Sequence, residues 1–128
     1  MVCENKEEFK KWFLQSEADL DSARYNFDGE KYYVAVFLCE QSVEKALKAL
    51  WLKDGNDLIK THDLMRLGKK VGLPGDIEKR LEKLSESYIN SRYCVDEGLI
   101  PAESFEKDEA EKFIKLTSEV LEWIKMKI

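Results

Sequence analysis

The chain has 128 residues, of which 44% are hydrophobic and 37% are charged, and its formal net charge is -5. This length and balance fit one globular domain with one core and exclude a disordered chain. Strong nucleic-acid binding is not expected, because it requires a basic surface.

The cysteine pattern and the hydropathy of the chain argue against several further classes of protein. Cys3, Cys39 and Cys94 are odd in number and have no C-x-x-C spacing, which argues against a disulfide framework and a thiolate zinc site. The charged first twelve residues do not resemble a signal peptide, and no uncharged run approaches membrane-spanning length. We therefore expect a cytoplasmic protein with no membrane association, no metal and no cofactor.

Apolar residues recur at spacings of three and four along most of the chain, which is typical of helices. Turn-forming residues at 28–29, 54–57 and 72–75 separate the helical segments. We predict an all-α fold, an antiparallel up-and-down bundle of four long helices plus one short helix, in a single domain over residues 1–128. The predicted helices span residues 6–27, 30–53, 62–70, 76–93 and 106–127.

The second helix is apolar nearly all round, which predicts a buried, central position. Its polar residues share one arc with aromatic side chains, so this arc is a narrow solvent window, a subunit interface or the floor of a site. The polar residues of the arc are Glu40, Gln41, Glu44, Lys45 and Lys48. Glu44 and Lys48 also have the spacing of a surface ion-pair ladder, the structural alternative to ligand binding by the lysines.

Two further groups allow either a structural or a functional interpretation. Thr61 is expected to cap the short helix, with Asp63 complementing its dipole. His62 has no structural role there and is a candidate to bind phosphate or transfer a proton near neutral pH. Arg92 ends the fourth helix, where a cation suits the dipole; alternatively it binds phosphate while the Tyr93 ring stacks on a base.

A nucleotide needs cationic donors for its phosphates and a flat ring for its base, and Arg92 and Tyr93 offer both in adjacent residues. We predict no catalytic residue and no metal ligand. The predicted nucleotide- or partner-binding site comprises Lys45, Lys48, His62, Arg92 and Tyr93.

Three segments together carry a resemblance to a known family: Q-x-x-E-K-x-L-K-A-L from Gln41, T-H-D-L from Thr61, and R-Y at residues 92–93. In this order and at these distances they resemble the HEPN domain, the "higher eukaryotes and prokaryotes nucleotide-binding" domain, over nearly the whole chain. The resemblance implies a helical bundle that forms a homodimer, with the polar arc facing the interface or a shared cleft. It also implies a separately encoded minimal nucleotidyltransferase as partner and makes ATP or GTP a candidate ligand.

Some HEPN branches are metal-independent ribonucleases with an Arg-x(4-6)-His motif. No histidine follows any arginine of this chain at that spacing. The resemblance therefore implies a non-catalytic nucleotide-binding or partner-binding HEPN module that acts with the nucleotidyltransferase. The alternatives are a ribonuclease toxin of a toxin–antitoxin pair that uses His62, and a purely structural dimerisation domain.

Overall fold

The computed structural model describes residues 2–91, 98 and 100–128, and their side chains from residue 7 onward, that of residue 91 excepted. No strand occurs in this part of the chain. The predicted all-α bundle of four long helices and one short helix is confirmed, with one 3₁₀ turn, Pro101–Glu103, not foreseen. The helices are α1 (Val2–Asp28), α2 (Tyr32–Lys53), α3 (Leu64–Val71), α4 (Gly75–Ser91) and α5 (Lys107–Lys127).

Helix α2 is the central element, as its all-round apolar sequence predicted. It contacts each of the other four helices. These helices cover most of the α2 surface, and many α2 side chains are buried. These include Ala35, Val36, Cys39, Ser42, Val43, Ala46, Leu47, Ala49 and Leu50.

Helices α1 and α2 form a tight hairpin. The turn between them places Glu30 at φ 64°, and Lys31 N–H donates to the Asn26 carbonyl at 2.8 Å. Ser42 Oγ donates to the Ser16 carbonyl at 2.6 Å across the contact. Small side chains on both helices allow this close approach and leave both serines fully buried.

Helix α3 begins later than predicted, and its cap is a different residue. Asp63, not Thr61, is the N-cap: its Oδ1 accepts from the backbone N–H groups of Met65 at 3.0 Å and Arg66 at 3.2 Å. Thr61 Oγ1 instead accepts from Asp63 N–H at 3.1 Å. The expectation that Thr61 caps the helix was therefore wrong, because the helix starts at Leu64 rather than at residue 62.

Helices α4 and α5 complete the bundle. α5 starts with a capping box between Glu106 and Glu109 and buries an apolar face that includes Phe113 and Ile124. An ion pair of 2.6 Å joins Arg80 on α4 to Glu119 on α5. No helix in the described part is long and apolar enough to cross a bilayer.

Candidate functional site: a groove between helices α2 and α4

A groove of about 590 Å³ lies between α2, the start of α3 and α4. We call it the α2–α4 groove. Its position follows from the fold, because α4 packs over α3 and α5 and leaves part of the polar arc of α2 uncovered. It is lined by Phe37, Glu40, Gln41, Glu44, His62, Asp63, Leu64, Met65, Glu82, Ser85, Glu86, Tyr88 and Ile89.

A buried carboxylate lies at the floor of the groove. Glu44 is only 7% exposed, and its Oε2 accepts from Lys48 Nζ at 3.0 Å. His62 Nδ1 is 3.1 Å from each carboxylate oxygen of Glu44. The His62 side chain itself is 84% exposed. When Nδ1 donates to Glu44, Nε2 is left as the acceptor of the ring, so Glu44 both orients His62 and selects its tautomer.

Lys48 is an internal cation and not a surface group. It is 4% exposed, and its Nζ lies 5.6 Å from the centre of the Trp12 ring in addition to its contact with Glu44. The interpretation of Glu44 and Lys48 as a surface ion-pair ladder is therefore corrected: the pair forms, but it is buried. α1 supplies Trp12 above it, which the spacing within α2 could not indicate.

Lys45 pairs with an acid on α1. Its Nζ is 2.6 Å from Asp19 Oδ2 on α1, and Gln15 Nε2 donates to the other Asp19 oxygen at 2.9 Å. Asp19 is buried, so Lys45 satisfies a carboxylate that would otherwise be buried without a cation. Lys45 thus fastens α2 to α1 and does not line the α2–α4 groove.

The structure thus brings together two of the predicted site residues. Lys48 and His62 meet through Glu44, whereas Lys45 contacts Asp19. Arg92 and Tyr93 lie outside the described residues, so the predicted five-residue site remains a prediction.

Glu40 is the most perturbed acid of the groove. Burial raises its pKa from 4.5 to about 7; a hydrogen bond from Ser85 Oγ, 3.4 Å away, opposes the shift, and the neighbouring charge of Glu44 adds to it. Near neutral pH, protonated and ionised forms are both present. Glu40 was named as a member of the polar arc but was not among the predicted site residues, and it lines the groove because α4 lies beside α2.

Three more carboxylates lie around the groove. Asp63 is exposed at the start of α3, and Glu82 and Glu86 are exposed one turn apart on α4. His62 is the only ionisable base among the described lining residues. The groove is therefore acidic and unfavourable for phosphate. Nowhere in the described part do three or more His, Cys, Asp or Glu side chains form a group able to hold a metal ion.

An apolar surface adjoins one end of the groove. Tyr33 and Phe37, one turn apart on α2, are 38% and 46% exposed. We call these two residues the α2 aromatic patch. They border a second depression of about 390 Å³, which also includes Tyr88, Pro101 and Phe105. Exposed aromatic side chains beside a polar groove are typical of an interaction surface.

The fold and this surface define a small all-helical bundle domain that presents an acidic groove. The family model that describes the HEPN domain matches residues 9–127. The chain belongs to the HEPN domain family, as its sequence motifs indicated.

Two crystal structures illustrate the similarity. An archaeal HEPN homologue, ST0689, is 32% identical, with a TM-score of 0.78 and coverage of 92% of this chain and 95% of that one. The protein TT1696 from Thermus thermophilus is 26% identical, with a TM-score of 0.83 and coverage of 94% and 98%. No protein with a curated functional description matches the chain.

Proposed function

We propose that this chain is a non-catalytic, partner-binding HEPN module that acts with a separately encoded minimal nucleotidyltransferase. The observation that carries the proposal is the α2–α4 groove, which combines carboxylates with the exposed apolar side chain of Ile89. Such a surface suits a protein segment. The nature of the partner comes from the HEPN family resemblance.

A nucleotide such as ATP or GTP is the less favoured ligand. Lys45 and Lys48 are each ion-paired with a buried carboxylate, so neither is free to receive phosphate. Recruiting Lys48 would leave Glu44 buried with only an exposed histidine as partner, which is costly. Phosphate in the groove would also face Glu82 and Glu86.

We further propose that the module is a homodimer built on α2 and its neighbours. The α2 aromatic patch supports this, because it leaves two large rings of the central helix exposed. A stable interface buries about 800 Å² per partner, which a patch of two aromatic residues and its surroundings can nucleate. This interface would lie at the end of the groove and leave its acidic part open.

The partner can be tested directly with purified proteins. The module is mixed with the minimal nucleotidyltransferase of the same genome, and complex formation is followed by size-exclusion chromatography with light scattering. A stable complex at micromolar concentrations is expected. ATP and GTP are titrated separately by calorimetry. If nucleotide binding releases or absorbs heat that is lost in Arg92→Ala, and no protein complex forms, the partner-binding proposal is wrong and the module binds nucleotides.

A ribonuclease is the second candidate, and the contact between His62 and Glu44 favours it. A histidine oriented by a carboxylate can move a proton in cleavage at a ribose 2′-hydroxyl. The acidic surroundings of His62 oppose it, because they repel the RNA backbone. Purified protein is expected not to cleave single-stranded RNA in EDTA; cleavage that disappears in His62→Ala would establish the ribonuclease instead.

A further inference from the structure

We infer that the α2–α4 groove docks a cationic, amphipathic segment of the partner protein. Basic side chains of that segment pair with Glu82 and Glu86, and an apolar side chain packs against Ile89. This inference rests on the proposed function, because it specifies the chemistry of the partner segment that the module binds.

The carboxylates on α4 carry the charge argument. Glu82 and Glu86 lie one helical turn apart on α4. Both are exposed, and neither forms an ion pair with a described residue. Asp63 faces the groove from the start of α3. A segment with Lys or Arg at a one-turn spacing complements Glu82 and Glu86, and such rim charges accelerate association in a salt-dependent way.

Apolar side chains of the same groove supply the second part of the argument. Ile89, on the same helix as the two glutamates, is 53% exposed. Buried Leu64 and half-buried Met65 line the groove from the start of α3. Apolar side chains beside a charged rim are the composition of a protein interface, in which the apolar anchors supply most of the affinity.

Two other occupants fit this surface less well. A second copy of this chain, docked by a two-fold contact across the groove, would bring the same carboxylates of both copies together. A nucleotide would set phosphate against Glu82, Glu86 and Asp63. The sign of the charge around the rim therefore selects a cationic polypeptide.

The test uses two synthetic helical peptides of about 18 residues as probes. Both have leucines at spacings of three and four, and the remaining positions are lysine in one peptide and glutamate in the other. Binding to the full-length chain is measured by fluorescence anisotropy at low and high salt. The lysine peptide is expected to bind at least tenfold more tightly than the glutamate peptide, and its affinity is expected to fall with salt.

Charge reversal then locates the binding. The Glu82→Lys/Glu86→Lys variant is expected to weaken lysine-peptide binding at least tenfold. The matched control is Glu17→Lys/Asp21→Lys, which makes the same change in net charge one turn apart on α1, beside α5. Binding to this control is expected to stay within about twofold of the original. Equal losses in both variants would show only a net-charge effect and overturn the inference, as would preferential binding of the glutamate peptide.

Nucleotidyltransferase binding, measured for the original chain and the Glu82→Lys/Glu86→Lys variant, distinguishes this inference from the proposed function. If the nucleotidyltransferase binds but tolerates the Glu82→Lys/Glu86→Lys change, the partner proposal stands and the groove assignment is wrong. If the lysine peptide binds in the groove and the nucleotidyltransferase does not, the groove assignment stands and the partner proposal fails. A changed oligomeric state of the variant in light scattering would make the groove a contact between copies and overturn the inference.

Discussion

Lys48 and Glu44 form a buried ion pair within one helix, with Lys48 Nζ 3.0 Å from Glu44 Oε2 and side-chain exposures of 5% and 9%. Trp12 covers the lysine from α1, and His62 contacts the carboxylate from the groove side. The pair therefore joins the core of the bundle to the floor of the α2–α4 groove. Its two charges are interdependent, because each lies in surroundings that disfavour an isolated ion.

Lys48→Met is expected to lower the free energy of unfolding by about 3 kcal/mol, because it leaves the Glu44 charge buried without its cation. Adding Glu44→Gln to Lys48→Met should restore most of the loss. Urea unfolding of both variants measures this. Lys11→Met, an exposed lysine on α1, is the control and should change stability by no more than about 0.5 kcal/mol. A similar loss in the double variant would show that the charge of Glu44 is not the cause.

Glu40 is expected to make stability depend on pH. Its pKa is about 7 in the folded chain against an ordinary 4.5, so between these values the folded state binds more protons than the unfolded state. Stability attributable to Glu40 is thus fully present below about pH 4.5 and is lost as pH rises through 7. Over this range the loss is at most about 3 kcal/mol.

Urea unfolding at pH 5 and pH 8 measures the effect of Glu40. Glu40→Gln should remove the contribution of Glu40 to the difference in unfolding free energy between the two pH values, since the amide does not titrate. Glu86→Gln, an exposed glutamate of the same groove, should leave the difference unchanged. An unchanged pH dependence in Glu40→Gln would show that its pKa is not raised.

The cap of α3 can be assigned by comparing two substitutions. Asp63→Ala is expected to cost about 1 kcal/mol, because it leaves the N–H groups of Met65 and Arg66 without their acceptor. Thr61→Ala should cost less, because Thr61 Oγ1 accepts from one N–H group only, that of Asp63. Thermal unfolding followed by circular dichroism ranks the two. The opposite order would restore Thr61 as the cap.

The homodimer proposal predicts a dimer in light scattering at micromolar concentration. Phe37→Asp should shift the mass to that of a monomer, because it places a charge in the α2 aromatic patch. Leu14→Asp is the matched control: Leu14 is 64% exposed on α1, away from the patch, and its substitution should leave the dimer intact. A monomeric wild type would refute the proposal.

The sequence predicted the helices well because each buried face is set by spacing within one helix. On α5, periodicity alone assigns Phe113 and Ile124 to the inward face and leaves Val120 or Leu121 open; all four are buried. Positions next to a turn are not set by periodicity. Thr61 and Asp63 are both good caps, and the helix starts at Leu64, whose side chain is buried in the core.

The groove depended on relations between helices, which periodicity does not contain. Lys48 and Lys45 appeared as neighbouring cations of one arc, yet Lys48 pairs with Glu44 of the same helix and Lys45 pairs with Asp19 of α1. Glu82 and Glu86 line the groove only because α4 lies beside α2, a relation that the spacing within α4 does not contain. The acidic character of the site therefore could not be predicted from any single helix.

The tight α1–α2 hairpin has a consequence for the order in which the chain assembles. Its partners are close in sequence, as in the contact of Ser42 with Ser16, so little loop-closure entropy opposes their pairing. α5 covers another face of α2 from far along the chain, through residues such as Phe113 and Ile124. During synthesis on the ribosome the hairpin can form first, while the face of α2 that α5 later covers remains exposed to solvent. The period in which a nascent chain can aggregate through α2 therefore ends only when α5 emerges and docks.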